Sequence, residues 1–114
     1  MAATDDYLHY VLEQLAPVGR VNAARFFGGI GLARGSVQFA MVMSNTLYFV
    51  VDDTTRARYE AAGMEPFAYD TRRRRVEVRR YFAVPESVLD DPEVLREWAE
   101  EALRVAARPR KRRS

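Results

Sequence analysis

The chain has 114 residues, of which 48% are apolar and 11% aromatic, and it has no cysteine. This composition argues against a disordered chain and excludes disulfides and thiolate metal sites. No apolar run approaches the roughly 20 residues of a membrane span, and the acidic N-terminus lacks an apolar signal core. We therefore expect one cytoplasmic domain with a single hydrophobic core and no membrane contact.

The net charge of +2 is unevenly distributed along the chain. The end of the chain is strongly basic, whereas the rest carries 13 basic and 16 acidic groups. We predict a domain at residues 1–107 and a disordered basic tail at residues 108–114. Such an arm either binds nucleic acid non-specifically or only keeps the chain in solution. Its basic residues are Arg108, Arg110, Lys111, Arg112 and Arg113.

The first half of the chain predicts one helix and three strands. Thr4 is placed to cap a helix whose apolar stripe ends before Pro17. A glycine-kinked strand, Arg25–Leu32, is followed by the strands Val37–Met43 and Leu47–Val51. Short loops join them, which indicates an antiparallel meander. The third strand is apolar on both faces, so we expect it to be central and covered on both sides.

The second half predicts two further helices around a strand pair. Asp52 or Asp53 caps a helix at residues 54–62, and Gly63 ends it. Strands follow at residues 66–69 and 74–82, and Asp91 with Pro92 begins the last helix. The fold class is therefore α+β in the order α-β-β-β-α-β-β-α, with a five-stranded antiparallel sheet and flanking helices. If the helices leave one face open, a second copy of the chain is its natural cover, which predicts a homodimer.

The glycines of the first strand, Gly28, Gly29 and Gly31, allow two interpretations. Glycine-rich loops bind phosphate through backbone N–H groups, but such loops normally connect a strand to a helix. These glycines lie between two strand-like stretches. A bend in the strand is therefore the better interpretation.

Arginines cluster at the hairpin that joins the last two predicted strands. They could contact nucleic acid phosphates, with Tyr69, Tyr81 and Phe82 nearby as stacking partners. The alternative is a solvated hairpin tip, with the arginines of the strand paired to Glu77 or Asp70. The candidate residues are Arg72, Arg73, Arg74, Arg75 and Arg79.

No catalytic constellation is visible, and we predict that the chain is not an enzyme and holds no metal or cofactor. His9 is the single histidine and lies off the apolar stripe of its helix. Asp90 and Asp91 are a carboxylate pair that helix capping explains. Trp98 lies on the apolar side of the last helix and is expected in the core.

Three groups of segments resemble the N-terminal domain of the TfoX (Sxy) family of competence regulators, over about residues 7 to 105. The match includes Phe27, Gly28, Gly29, Gly31 and the helix through Trp98. The segments are Arg25–Leu32, Phe39–Val42 with Leu47–Asp52, and Gly63–Tyr69 with Tyr81–Pro85 and Trp98-Ala99.

This chain is similar to a stand-alone N-terminal domain, whereas full-length members carry a second domain. The resemblance implies a five-stranded antiparallel sheet similar to secretion-chaperone-like folds. It also implies regulation of DNA uptake genes together with the cyclic-AMP receptor protein, and no catalytic residues.

Our leading hypothesis is therefore a regulatory domain that contacts another protein, such as a transcription regulator, with added attraction of its basic hairpin and tail to DNA. One alternative is a non-specific nucleic-acid-binding module that uses the hairpin and the tail. The other is a small-ligand-binding domain with a pocket near the glycines.

Overall fold

The computed structural model describes residues 4–108 of the chain. The fold is α+β with an antiparallel sheet, as predicted. Within this range, no helix is both long and apolar enough to cross a membrane. The elements are α1 (Asp5–Gln14), a 3-10 helix (Ala16–Val18), β1 (Asn22–Phe26), β2 (Gly29–Arg34), β3 (Val37–Met43), β4 (Thr46–Val50), α2 (Arg56–Ala61), β5 (Pro66–Asp70), β6 (Arg75–Ala83), α3 (Glu86–Leu89) and α4 (Pro92–Ala107).

The sheet has six strands in the order β1-β2-β3-β4-β6-β5, so the prediction of five strands was wrong. The segment Arg25–Leu32 is not one kinked strand but part of a hairpin. Phe27 and Gly28 form its turn, with φ angles of 47° and 83°. Two positive φ angles in a two-residue loop are the signature of a type I′ turn. The sequence conceals this turn because a bulky aromatic residue rarely adopts positive φ.

The capping groups confirm the predicted starts of α1 and α4 and the predicted end of α2. The predicted start of α2 was wrong, because α2 begins at Arg56 and the Asp52 carboxylate accepts hydrogen bonds from Thr54 and Thr55 in the turn before it. The Thr4 hydroxyl accepts a hydrogen bond from the backbone N–H of Tyr7 at 3.3 Å, which satisfies one free donor of α1. Asp91 caps α4 in the same way, with Pro92 in its first turn. Gly63 follows α2 with a φ angle of 80°, the left-handed conformation that commonly ends a helix.

The four helices contribute to one core on a single face of the sheet. Trp98 of α4 is 8% exposed, and its ring lies edge-on to Tyr59 of α2 with centroids 4.8 Å apart. Tyr59 also contacts Phe82 of β6. The sheet side of this core consists of Leu32, Phe39, Ala40, Val42, Leu47, Phe49, Val51 and Phe82.

Strand β4 lies between β3 and β6, so its predicted central position is confirmed. Leu47 and Phe49 alternate toward the helices. Tyr48 and Val50 point to the opposite face, which the helices do not cover. Val50 is nevertheless only 1% exposed. The expected second covering layer is therefore absent among the described residues, and the side chains of the sheet itself bury this face.

Candidate functional site

The sheet face opposite the helices is concave. The ring centroids of Phe26 in β1 and Tyr81 in β6 are 6.4 Å apart, although three strands separate β1 from β6. In a flat sheet, four strand spacings would place the two backbones roughly 19 Å apart. The sheet must therefore curl until side chains from distant strands meet.

This curvature forms an apolar cavity of about 580 Å³, which we call the aromatic groove. Ligand pockets in proteins have volumes of roughly 300 to 1,000 Å³ and mainly apolar walls. The groove lining contains no carboxylate, imidazole or amine among the described residues, and the phenols of Tyr69 and Tyr81 are its ionisable groups. Its walls are Phe26, Phe27, Met41, Met43, Phe67, Tyr69, Val78 and Tyr81.

The glycines shape the groove because they leave β2 without bulk on this side. A Cβ on Gly29 would collide with the Met43 side chain and with the Val42 carbonyl oxygen. A Cβ on Gly31 would lie 2.7 Å from Oε1 of Gln38. The glycines lie in a hairpin and not at the start of a helix, where phosphate-binding loops are found. They therefore serve the packing of β3 against β2.

Two exposed aromatic side chains stand at the mouth of the aromatic groove. Phe27 is 88% exposed and Tyr69 is 48% exposed. Phe27 also has a left-handed backbone, which costs a non-glycine residue about 1–2 kcal/mol. Strained residues and exposed apolar patches both mark functional surfaces in proteins. Sequence reasoning missed Phe27 as a surface residue because it lay inside an apparently continuous strand.

An irregular register brings Tyr81 into the groove. Pro66 pairs with Phe82, but the next residue, Phe67, pairs with Val78. The intervening residues of β6 interrupt the alternation, so Val78 and Tyr81 both line the groove. Phe82 is 1% exposed and lies in the core, so its predicted stacking role was wrong.

Hydroxyl and amide groups supply the polar atoms beside this cavity. Nε2 of Gln38 donates a hydrogen bond to the Tyr81 hydroxyl at 3.3 Å. The Tyr48 ring lies edge-on to Phe67 with centroids 5.4 Å apart. Burial raises the pKa of the Tyr48 hydroxyl above its ordinary value.

The arginines of the hairpin between β5 and β6 begin three residues after Tyr69. Thr71 organises its turn, since its hydroxyl oxygen accepts hydrogen bonds from the N–H groups of Arg73 and Arg74 at 3.2 and 3.1 Å. The side chains of Arg72 to Arg75 are exposed, and none has an ion pair within residues 4–108. We call these four residues the arginine tip.

Arg79 differs from the arginine tip because acidic side chains compensate its charge. Its guanidinium lies 3.4 Å from Glu60 and 3.9 Å from Glu77. Of the predicted hairpin arginines, Arg79 therefore matches the alternative in which strand arginines are paired.

The predicted tail is described only at its first residue. Arg108 follows the end of α4, and its guanidinium donates a hydrogen bond to Asp52 at 2.8 Å. The backbone N–H of Thr55 is the main cause that lowers the pKa of the Asp52 carboxyl, and Arg108 adds to it. The remaining basic positions, Arg110, Lys111, Arg112 and Arg113, lie outside the described residues.

The carboxylate pair has structural partners. Asp90 accepts a hydrogen bond from the Tyr10 hydroxyl at 2.5 Å, which joins α1 to the segment before α4. This hydrogen bond raises the pKa of Tyr10. Asp91 caps α4. Residues 4–108 contain no cluster of three His, Cys, Asp or Glu side chains that could hold a metal ion.

A comparison of the chain with curated proteins gives no match. The family model described as the TfoX N-terminal domain matches residues 13–106, which includes the whole sheet, the aromatic groove and the arginine tip. The chain therefore belongs to the TfoX N-terminal domain family.

Proposed function

We propose that this chain is a non-enzymatic regulatory domain that binds a protein partner in the aromatic groove. Membership of the TfoX N-terminal domain family suggests a competence-related regulatory domain. The observation that carries the proposal is an apolar groove whose mouth has two exposed aromatic side chains, Phe27 and Tyr69. Aromatic residues of this kind are the typical anchors of protein interfaces.

The charge around the groove defines the chemistry of the partner. The arginine tip begins three residues after Tyr69, and its positive charges have no ion pair within residues 4–108. A partner segment with apolar side chains for the groove and acidic residues beside them is complementary to this surface. We propose that the partner is a cytoplasmic transcription regulator that controls competence genes.

Binding of nucleic acid is a second candidate function, favoured by the same unpaired charges. Single strands bind where aromatic rings accept stacked bases beside a basic surface. Tyr69 and Phe27 are exposed rings, and the arginine tip is close to Tyr69 in the chain. The basic tail would add to this attraction. Both this candidate and the protein partner place negative charge against the arginine tip. They differ in what contacts the exposed rings, which is a nucleic acid base in one case and an apolar side chain of a protein in the other.

A homodimer remains a prediction that the open concave face supports. A second copy of the chain would bury Phe27 and Tyr69, which are exposed in the single chain. The dimer would then carry two arginine tips, and the repulsion between their positive charges opposes a close approach of the two copies. Light scattering at tens of micromolar chain decides between one and two copies.

Site-specific photocrosslinking tests the protein partner. We would place a photoreactive phenylalanine analogue at Tyr69 and, as a control, at Arg96, an exposed position on α4. The expected result is a protein adduct from position 69 alone, mapped to an apolar segment that contains Asp or Glu. The adduct should disappear when Phe27→Asn is added. Adducts of equal yield from both positions, or adducts to nucleic acid, would contradict the proposal.

A further inference from the structure

Strand β1 is an open edge of the sheet. Its residues Asn22 to Arg25 are exposed, and it contains neither a proline nor a register irregularity against β2. The other edge, β5, begins with Pro66 and has a register shift after it. Proline and bulges are two of the features by which proteins protect sheet edges from pairing with another chain. Of the two edge strands, β1 is therefore the one whose backbone is better able to pair with a further strand.

The hairpin turn determines which backbone groups of β1 are free. In a hairpin with a two-residue turn, the residues that flank the turn exchange both hydrogen bonds, which here are Phe26 and Gly29. Hydrogen-bonded and non-hydrogen-bonded pairs then alternate along the ladder. The N–H and C=O groups of Ala23 and Arg25 consequently point away from β2, toward the open edge.

The two faces of β1 differ in chemistry. Phe26 pairs with Gly29 and lines the aromatic groove, whereas Arg25 pairs with Ile30, which packs against the helix-side core. The exposed Arg25 side chain has no ion pair within the described residues. Because side chains of neighbouring strands share a face, an added strand would meet an apolar surface on one side and a positive charge on the other.

We propose that β1 accepts an extended segment of a partner protein as a seventh strand, with apolar and acidic residues in alternation. The apolar side chains enter the mouth of the aromatic groove beside Phe26 and Phe27. The acidic side chains between them face Arg25. Main-chain hydrogen bonds from Ala23 and Arg25 supply binding that does not depend on sequence, and the alternation supplies the specificity.

This inference rests on the proposed function, because it specifies how the partner uses the groove. A helical partner would need a wide groove for side chains at helical spacing, and it would leave the edge of β1 unpaired. Strand addition uses the edge and the groove together. The two binding modes therefore differ in the spacing of the apolar residues that they select.

Peptide display provides the first test without knowledge of the partner. Random peptides of about 12 residues, longer than β1, are displayed on phage and selected on the full chain. We expect enriched peptides with apolar residues at every second position and Asp or Glu between them. Apolar residues at helical spacing would overturn strand addition, and so would selected peptides that lack acidic residues.

The second test removes one outward N–H group. Ala23→Pro should weaken the binding of a selected, synthesised peptide by about tenfold or more, because proline has no N–H to donate. Ala23→Ser keeps the N–H at the same place and is the matched control, with little change expected. Arg25→Glu should weaken binding of the acidic peptide. A peptide whose acidic residues are replaced by lysine should bind the unmodified chain poorly and the Arg25→Glu variant well. Equal peptide binding by the proline and serine variants contradicts the inference.

Amide hydrogen exchange keeps the test decisive if Ala23→Pro fails to fold. Peptide binding to the unmodified chain should protect the N–H groups of Ala23 and Arg25, whereas that of Phe26 is already protected by β2. No new protection at Ala23 and Arg25 overturns strand addition.

The proposed function can survive the failure of this inference. If Tyr69→Ser abolishes peptide binding but Ala23→Pro does not, the groove binds a partner without strand addition. If neither variant changes binding, both proposals fail. A dimer in light scattering that Ala23→Pro dissociates would mean that a second copy occupies the edge, which also overturns the inference.

Discussion

Gly29 lies so close to the carbonyl oxygen of Val42 that no side chain fits at this position. Gly31 has a different neighbour, because the obstacle there is the end of the Gln38 side chain. A backbone carbonyl in the middle of a sheet cannot move without disturbing the ladder, whereas a glutamine side chain can rotate. The two glycines of the same strand are therefore constrained to different degrees.

We expect Gly29→Ala to destabilise the domain by about 2–3 kcal/mol through overpacking against β3. Gly31→Ala should cost only about 1 kcal/mol, because Gln38 can turn away and lose its hydrogen bond to Tyr81. Urea denaturation of both variants measures the difference. Gly31→Ala in a Gln38→Ala background should cost less still. Equal stabilities of the two single variants would contradict this packing.

Replacing Phe27 in the turn should raise the stability of the domain and weaken its binding of a partner. Asn followed by glycine is the preferred type I′ turn, so Phe27→Asn should stabilise the domain by about 1 kcal/mol. The same change removes an exposed aromatic side chain from the mouth of the groove and should weaken binding of a selected peptide. Thermal denaturation and a peptide titration measure the two effects. Lower stability, or unchanged peptide binding, would show that Phe27 is a structural residue.

Asp52 should link stability to pH. Its carboxylate accepts hydrogen bonds from the N–H groups of Thr54 and Thr55 at 3.0 and 2.8 Å, and it pairs with Arg108. Asp52→Ala should therefore destabilise the domain by about 1–2 kcal/mol near neutral pH. Asp53→Ala is the control, because that carboxylate is 96% exposed and its surface ion pair with Arg56 should contribute little.

The direction of the pH effect follows from the lowered pKa of Asp52 in the folded chain. The unfolded chain binds a proton at this carboxyl more readily, so the stabilisation is complete above the ordinary pKa of 3.8. It is lost as the pH falls below that value through the folded-state pKa. Urea denaturation at several pH values should show the Asp52→Ala deficit shrinking in acid. A deficit that stays constant below this range would mean that the carboxylate charge plays no part.

The arginine tip should dominate any affinity for nucleic acid. We expect the full chain to bind single-stranded DNA weakly and to lose affinity as salt rises, with a slope of about 0.7 per phosphate contact. Replacing all four arginines of the tip by serine should flatten this slope, whereas Arg79→Ser should change it little because acidic residues already compensate Arg79. Fluorescence anisotropy at several salt concentrations measures the slope.

The contribution of the tail requires a separate variant. A chain that ends at Arg108 keeps the ion pair with Asp52. A chain that ends at Ala107 loses this ion pair together with the basic residues, so a change in DNA binding could come from either loss. Comparison of the full chain with the one ending at Arg108 isolates the remaining basic residues. No DNA binding by either chain at low salt would remove nucleic acid from the candidate functions.

The sequence by itself determined the local features of this protein. Capping at Thr4 and Asp91, the helix stop at Gly63 and the central position of Leu47–Val51 follow from side-chain chemistry and apolar periodicity within a few residues, and the structure confirms them. The family resemblance was also readable from short segments, and the match over residues 13–106 confirms it.

Only the tertiary structure decided what the glycine-rich segment and its neighbours form together. The turn at Phe27 is concealed because tertiary packing holds a bulky residue in a conformation that its own chemistry disfavours. The meeting of Phe26 with Tyr81 depends on the curl of the whole sheet, which no local pattern records. The unpaired state of the arginine tip likewise depends on where acidic side chains from other elements lie. The sequence thus specifies the elements, and long-range packing creates the groove, its exposed rim and its open edge.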